Sequence, residues 1–139
     1  MKSILKTGLL AMACLTAYSH ASAQTTMTAK IPFEFAVGQK VLPPGTYSIT
    51  QVASRVIEFE NLDRRISVYA STVGADYVSQ KPRELVFHRY GNQYFLHEVR
   101  GGLGQFSMDL SPSKLEKETE RLAKTNANQQ GTEVALQSH

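Results

Sequence analysis

Glu84-Leu85-Val86-Phe87-His88-Arg89-Tyr90-Gly91-Asn92-Gln93-Tyr94-Phe95-Leu96-His97-Glu98-Val99-Arg100 decides the fold. It reads as two β-favouring runs, 83–90 and 93–100, around the two-residue hairpin signal Gly91-Asn92. Gly101-Gly102 repeats that signal before a third run, 103–110. Two-residue turns at both places pair Arg89 with Tyr94, His88 with Phe95 and Val86 with His97, then Val99 with Gly104 and His97 with Phe106. One face of this meander carries Val86, His88, Tyr90, Phe95, His97, Val99, Phe106 and Met108, and is the better core candidate. The other carries Leu85, Phe87, Arg89, Tyr94, Leu96, Glu98, Gln105, Ser107 and Asp109. A one-residue slip would exchange the two faces.

Upstream the pattern continues, with strands expected at 26–31, 33–36, 46–52, 55–60 and 65–72. Pro44-Gly45 suits the centre of a type II turn, and Asn61-Leu62-Asp63 breaks a strand pair through side-chain-to-backbone bonding. Segment 73–82 is the longest internal loop and the one expected to be mobile or to bind. After Leu110 the period changes. Ser111-Pro112, or alternatively a Ser113/Glu116 capping box, starts a helix whose apolar stripe is only Leu115, Leu122 and Ala123. The Gln/Asn-rich remainder has too little apolar content to fold alone. The expected organisation is a cleaved signal over 1–23, an antiparallel β domain over 24–110, a helix over 111–124 and a disordered tail over 125–139. The fold class is all-β: an antiparallel sandwich or partly closed barrel of seven or eight strands with one C-terminal surface helix.

The N-terminus reads as an export signal. Lys2 and Lys6 precede the apolar run Gly8–Ala17, and Ala21-Ser22-Ala23 offers the small-x-small cleavage pattern, leaving Gln24 first. Cleavage removes two lysines and no acidic residue, taking the formal charge from +3 to +1. A chain so near neutrality has no electrostatic footprint for nucleic acid, and export removes that partner. The only cysteine, Cys14, leaves with the signal; lipidation there is the rival reading, but Ala11-Met12-Ala13 lacks the branched apolar residue usual before a lipidated cysteine. About 116 residues remain, enough to bury about two-thirds of the unfolded surface without disulfides. No apolar run in them is long enough to span a bilayer as a helix.

Three stretches carry a resemblance. Ile31-Pro32-Phe33-Glu34-Phe35-Ala36-Val37-Gly38 leads into Leu42-Pro43-Pro44-Gly45-Thr46-Tyr47. Leu85-Val86-Phe87-His88-Arg89-Tyr90-Gly91 and Tyr94-Phe95-Leu96 follow, and a charged helix opened by Ser-Pro-Ser-Lys closes the domain. This resembles an abundant family of small exported bacterial proteins of unknown function. The resemblance covers most of the mature chain and implies a compact β domain of the cell envelope or exterior. It brings no catalytic or binding residues with it.

Three constellations could carry chemistry. His88 and His97 fall diagonally on one face, Cβ atoms about 7–8 Å apart, but a metal needs three or four ligands and none other is expected there; packed histidines are the simpler expectation. Arg89, Tyr94 and Asp109 fall in one row across three strands, a candidate ligand-binding patch for an anionic or sugar-like group, set against an ordinary surface ladder. Glu58 and Glu60 lie on one strand face about 7 Å apart, with Glu98 elsewhere, but no aromatic platform brackets the pair as glycoside chemistry would want. No serine sits in a strand–nucleophile–helix turn. The expectation is a non-catalytic binding or scaffolding module, periplasmic or extracellular, without cofactor or metal, acting on an envelope or extracellular partner or a second copy. A carrier of an apolar ligand inside the β domain is the alternative, because Pro32-Phe33-Glu34-Phe35 with Val37 and Val41 is apolar on both parities and could line a cavity. A hydrolase or metal enzyme ranks third.

Overall fold

The computed structural model describes residues 25–76, 80–126 and 131–138. The expected signal over 1–23, with Cys14, lies outside the described residues, as do residues 77–79 of the 73–82 loop and 127–130 of the tail. Both β-sheets are open, and they face each other as a sandwich with a helix on one outer face.

The first sheet has the order β1 (Thr26–Ile31), β4 (Gly45–Ala53), β5 (Val56–Asn61), β6 (Ile66–Ser71), all antiparallel. Its inner positions are Met27, Ala29, Ile31, Tyr47, Ile49, Ile57, Phe59, Val68 and Ala70, all buried. Its outer positions are hydroxyls and carboxylates: Thr26, Thr50, Glu58 and Tyr69 in one row, Thr28, Ser48, Glu60 and Ser67 in the next. This strict alternation is the period-2 signature of a half-buried sheet. Asn61 closes the β5–β6 turn as expected, its Oδ1 accepting from the backbone N–H groups of Asp63 and Arg64 at 3.0 and 2.9 Å.

The second sheet runs β11 (Thr132–Gln137), β8 (Glu84–Tyr90), β9 (Gln93–Arg100), β10 (Ser107–Asp109), β7 (Gly74–Asp76). The free edge of β9 also takes β2 (Phe35–Val37) in parallel, and β3 (Lys40–Leu42) pairs with β2. All three residues of β2 are buried. Phe35 spans the gap between sheets, its ring 5.2 Å from Tyr47 on one side and 5.6 Å from Phe87 on the other, both edge-to-face. The doubly apolar segment therefore fills the interior.

The hairpin at Gly91-Asn92 forms as expected, with Gly91 at φ 61° supplying the positive φ a primed turn needs. Beyond it the register departs from the expectation. Phe87 pairs with Leu96, but Val86 pairs with Glu98, so His97 is an extra residue, a β-bulge. The core face is consequently Leu85, Phe87, Leu96 and Val99, and the expected core face of Val86, His88, Tyr90, Phe95 and His97 turns outward, under the helix. Gly101-Gly102 is not a two-residue hairpin either. Gly102 and Gly104 both take positive φ, a turn closes from Gly102 O to Gln105 N, and the loop runs to Phe106. Met108, not Gly104, then lies opposite Val99. Gly45 does not sit in a left-handed turn; it is the first residue of β4, opposite Ile31.

Two further expectations are corrected by strands that short polar segments concealed. The 73–82 loop begins with β7, which pairs with β10. The tail over 125–139, expected to be disordered, contributes β11 along the open edge of β8, where Val134 and Leu136 turn toward the sandwich and Leu136 packs on the core. The tail's low apolar content mattered less than its alternation, because β8 supplies the backbone partner. Helix α1 (Lys114–Thr125) starts at Ser113, whose Oγ accepts from Glu116 N at 3.1 Å, so the second of the two caps is used. Its side toward the sheet buries Glu116 and Ala123, seven residues apart and so on one face.

Phe35→Ala removes the ring that joins the two sheets and should cost about 3–5 kcal/mol. Tyr69→Ala, on the outer face at 62% exposure, should change stability by no more than about 0.5 kcal/mol. Urea denaturation of both variants checks the contrast.

Candidate functional site

The outward face of the second sheet, where β8 and β9 meet α1, holds the groups with chemical potential. The bulge places His97 beside His88, and the two imidazoles stack with centroids 4.0 Å apart and planes at 21°. His88 Nδ1 donates to Oε1 of Glu116 at 3.0 Å; this carboxylate is almost fully buried beneath the helix. His97 Nδ1 is buried with no hydrogen-bond partner among the described residues. Thr119 Oγ1 adds a bond to Gln93 Oε1 at 3.0 Å. With so few apolar contacts, the helix is seated by directional polar bonds.

Between the last turns of α1 and the paired ends of β8 and β11 opens a cleft of about 440 Å³, lined by His88, Tyr90, Glu120, Ala123, Lys124, Gly131, Thr132 and Glu133. That is within the usual range for small-ligand sites, about 300–1,000 Å³. The pairing of β11 with β8 puts Glu133 directly opposite His88. Gly131 lies flat against the ring of Tyr90: a Cβ there would stand 2.6 Å from Cε1. Burial raises the Tyr90 phenol above its ordinary value, and the charges of Glu120 and Glu116 push it further in the same direction. Lys124 Nζ pairs with Glu120 Oε1 at 2.7 Å and lowers that carboxyl. A second, smaller hollow of about 220 Å³ lies between β2, β3, the Gly91-Asn92 turn and the start of α1.

The residues singled out in the sequence are only partly brought together. Arg89 does sit over Tyr94, its guanidinium carbon 5.4 Å from the ring centroid, but its Nε is tied to the carbonyl of Gly91 at 2.7 Å and Tyr94 is stacked on Phe33 at 3.8 Å. Asp109 is not in their row. It pairs with Glu98 near the other end of β9, on the opposite sheet face, because the bulge and the long 101–106 loop carry β10 along the strand. Glu58 and Glu60 face outward from the first sheet. Tyr69 lies opposite Glu58 and donates to its Oε1 at 2.9 Å, a bond that raises the Tyr69 phenol.

Glu98 is on the other sheet and buried. Lys81 Nζ lies 2.9 Å from its Oε1, Ser107 Oγ donates to the same oxygen at 2.6 Å, and Arg100 Nη2 reaches Oε2 at 2.6 Å while its Nη1 pairs with Glu84. This lattice ties β8, β9 and β10 to segment 80–83. Among the described residues no group of three or more His, Cys, Asp or Glu side chains is arranged to hold a metal ion. The cleft residues Glu120, Lys124 and Glu133 had no signal as a site, since the helix reads as solvated and the tail as unfolded; the Val134/Leu136 alternation was the one legible clue.

Comparison with family models, curated proteins and solved structures finds no match for the chain.

Two predictions follow from this face. Burial opposes ionisation of Glu98, but the bonds from Arg100, Ser107 and Lys81 outweigh it and hold the carboxyl at about 2, from an ordinary 4.5. The folded state therefore binds this proton less readily than the unfolded chain does. The stabilisation is complete above about pH 4.5 and is lost as pH falls toward 2, on the order of 3 kcal/mol. Glu98→Gln should be markedly less stable than the parent at pH 7, and the gap should close by pH 2 in denaturant titrations. Separately, His88→Ala leaves the Glu116 carboxylate buried without its partner, at about 1–3 kcal/mol. Amide exchange should quicken across Lys114–Thr125 and stay unchanged in β4 and β5.

Proposed function

We propose that this is an exported, non-catalytic binding module of the bacterial cell envelope, which meets its partner at the cleft between α1 and the β8–β11 edge. One observation carries the reading: the sandwich interior is filled by large side chains, with Phe35, Tyr47, Phe59, Phe87 and Met108 essentially inaccessible, while a cleft of about 440 Å³ lies outside it on a charged face. A carrier of an apolar ligand would want that volume inside the β domain. The charge–cleavage order of residues 1–23 and the resemblance to small exported proteins support the compartment. The carboxylates weigh against hydrolysis, because Glu98 is locked in ion pairs on one sheet while Glu58 and Glu60 stand on the other. No helix among the described residues is long and apolar enough to cross a membrane.

The test is recovery of the chain from the exported fraction, with N-terminal sequencing and comparison of native and denatured masses. A mature chain beginning at Gln24 and free of any retained apolar molecule is the expected result. A chain that keeps residues 1–23 in the cytosol overturns export. Excess mass of lipid size, lost on denaturation, overturns the binding module in favour of the carrier.

A further inference from the structure

The cleft beside α1 is shaped electrostatically as well as sterically, and we infer that it binds an organic cation, a primary ammonium or guanidinium group such as the end of a basic side chain. The inference rests on the reading of the cleft as the binding site and names its ligand class. Three independent features converge there. Glu120 comes from the helix and Glu133 from β11, so carboxylates stand on both walls, with Glu116 buried behind His88. The helix ends at Thr125, so its last turn, which includes the lining residues Ala123 and Lys124, brings the partial negative charge of the macrodipole to the same wall. The ring of Tyr90 contributes a π face suited to a cation, and its hydroxyl stays protonated because burial and the two helix carboxylates raise it.

The molecule already holds a stand-in for the ligand. Among the described residues Lys124 is the only lysine or arginine lining the cleft, and its ammonium lies 2.7 Å from Glu120. Its side chain is 74% exposed, so the pair is weak and readily displaced. An external ammonium takes the place of Lys124 at Glu120, with the Glu133 carboxylate on the facing wall of the same cleft. The remaining lining includes Thr132, whose hydroxyl can donate to or accept from a ligand.

The probes are 1,5-diaminopentane, pentanoate and pentanol, each titrated into the isotopically labelled exported protein while the amide resonances of Tyr90, Gly131, Thr132 and Glu133 are followed. The diamine should shift these resonances saturably, with an affinity that falls between low and high salt as a screened charge interaction must. Lys124→Met should tighten diamine binding about two- to fivefold by freeing Glu120, and Glu120→Gln and Glu133→Gln should each weaken it by a similar factor. All three positions are at the surface, so the fold is preserved. Saturable shifts with pentanoate or pentanol but not with the diamine overturn the cation and leave the cleft as a site. No saturable shift with any probe overturns the cleft as a small-molecule site as well. Diamine binding that Lys124→Met leaves unchanged or weakens overturns the displacement of Lys124 and with it the proposed geometry.

Discussion

The extra residue at His97 is the constraint on which most of the second sheet depends. Without the bulge, Phe95, His97 and Val99 would share one face, and Leu96 and Glu98 the other. With it, Leu96 and Val99 both enter the core while Phe95, His97 and Glu98 all turn outward. That single offset completes the hydrophobic layer opposite Tyr47 and Phe59. It also delivers the imidazole of His97 onto His88 and the carboxylate of Glu98 into reach of Arg100, Lys81 and Ser107. A regular ladder would instead have placed an ionised carboxylate against the aromatic core, at a cost no partner there could offset.

This explains which parts of the fold could be read from residues alone. The all-β class, the meander, the Gly91-Asn92 hairpin and the Asn61 turn are local: each is written in alternation or in turn chemistry within a few residues. The bulge is not local. Its position depends on which side chains the opposite sheet and the helix accept, so pairing outward from the hairpin holds as far as Phe87–Leu96 and fails at Val86. The faces were exchanged for the same reason, and Asp109 was lost from the row of Arg89 and Tyr94. Strand β11 was hidden by composition: Thr132–Gln137 is polar on average, and its Val134 and Leu136 acquire a purpose only when the edge of β8 is available.

The division of labour between interior and exterior follows. The β2 segment, apolar on both parities, has the composition of a cavity lining, yet Phe35 meets Tyr47 and Phe87 edge-to-face and closes the space. Chemistry is thereby excluded from the centre and gathered on the two outer faces. One is a flat array of hydroxyls and carboxylates on the first sheet. The other is the more sharply shaped surface that the helix makes with the second.

That helix is held in an unusual balance. Its apolar stripe is too narrow to fix its position by burial, since Leu115 and Leu122 remain largely exposed. The buried Glu116 supplies direction instead. A buried carboxylate bonded to histidine adds little net stability after desolvation, but it accepts only one geometry. The register of α1 on the sheet is thus set by the His88–Glu116 bond, and with it the distance between the C-terminal turn of the helix and β11. The cleft walls stand on separate elements, α1 and β11, and that bond holds α1 against β8, the strand that β11 pairs with. A perturbation at His88 or Glu116 would therefore act on the seat of the helix and the shape of the cleft more than on the sandwich beneath, whose packing rests on other residues.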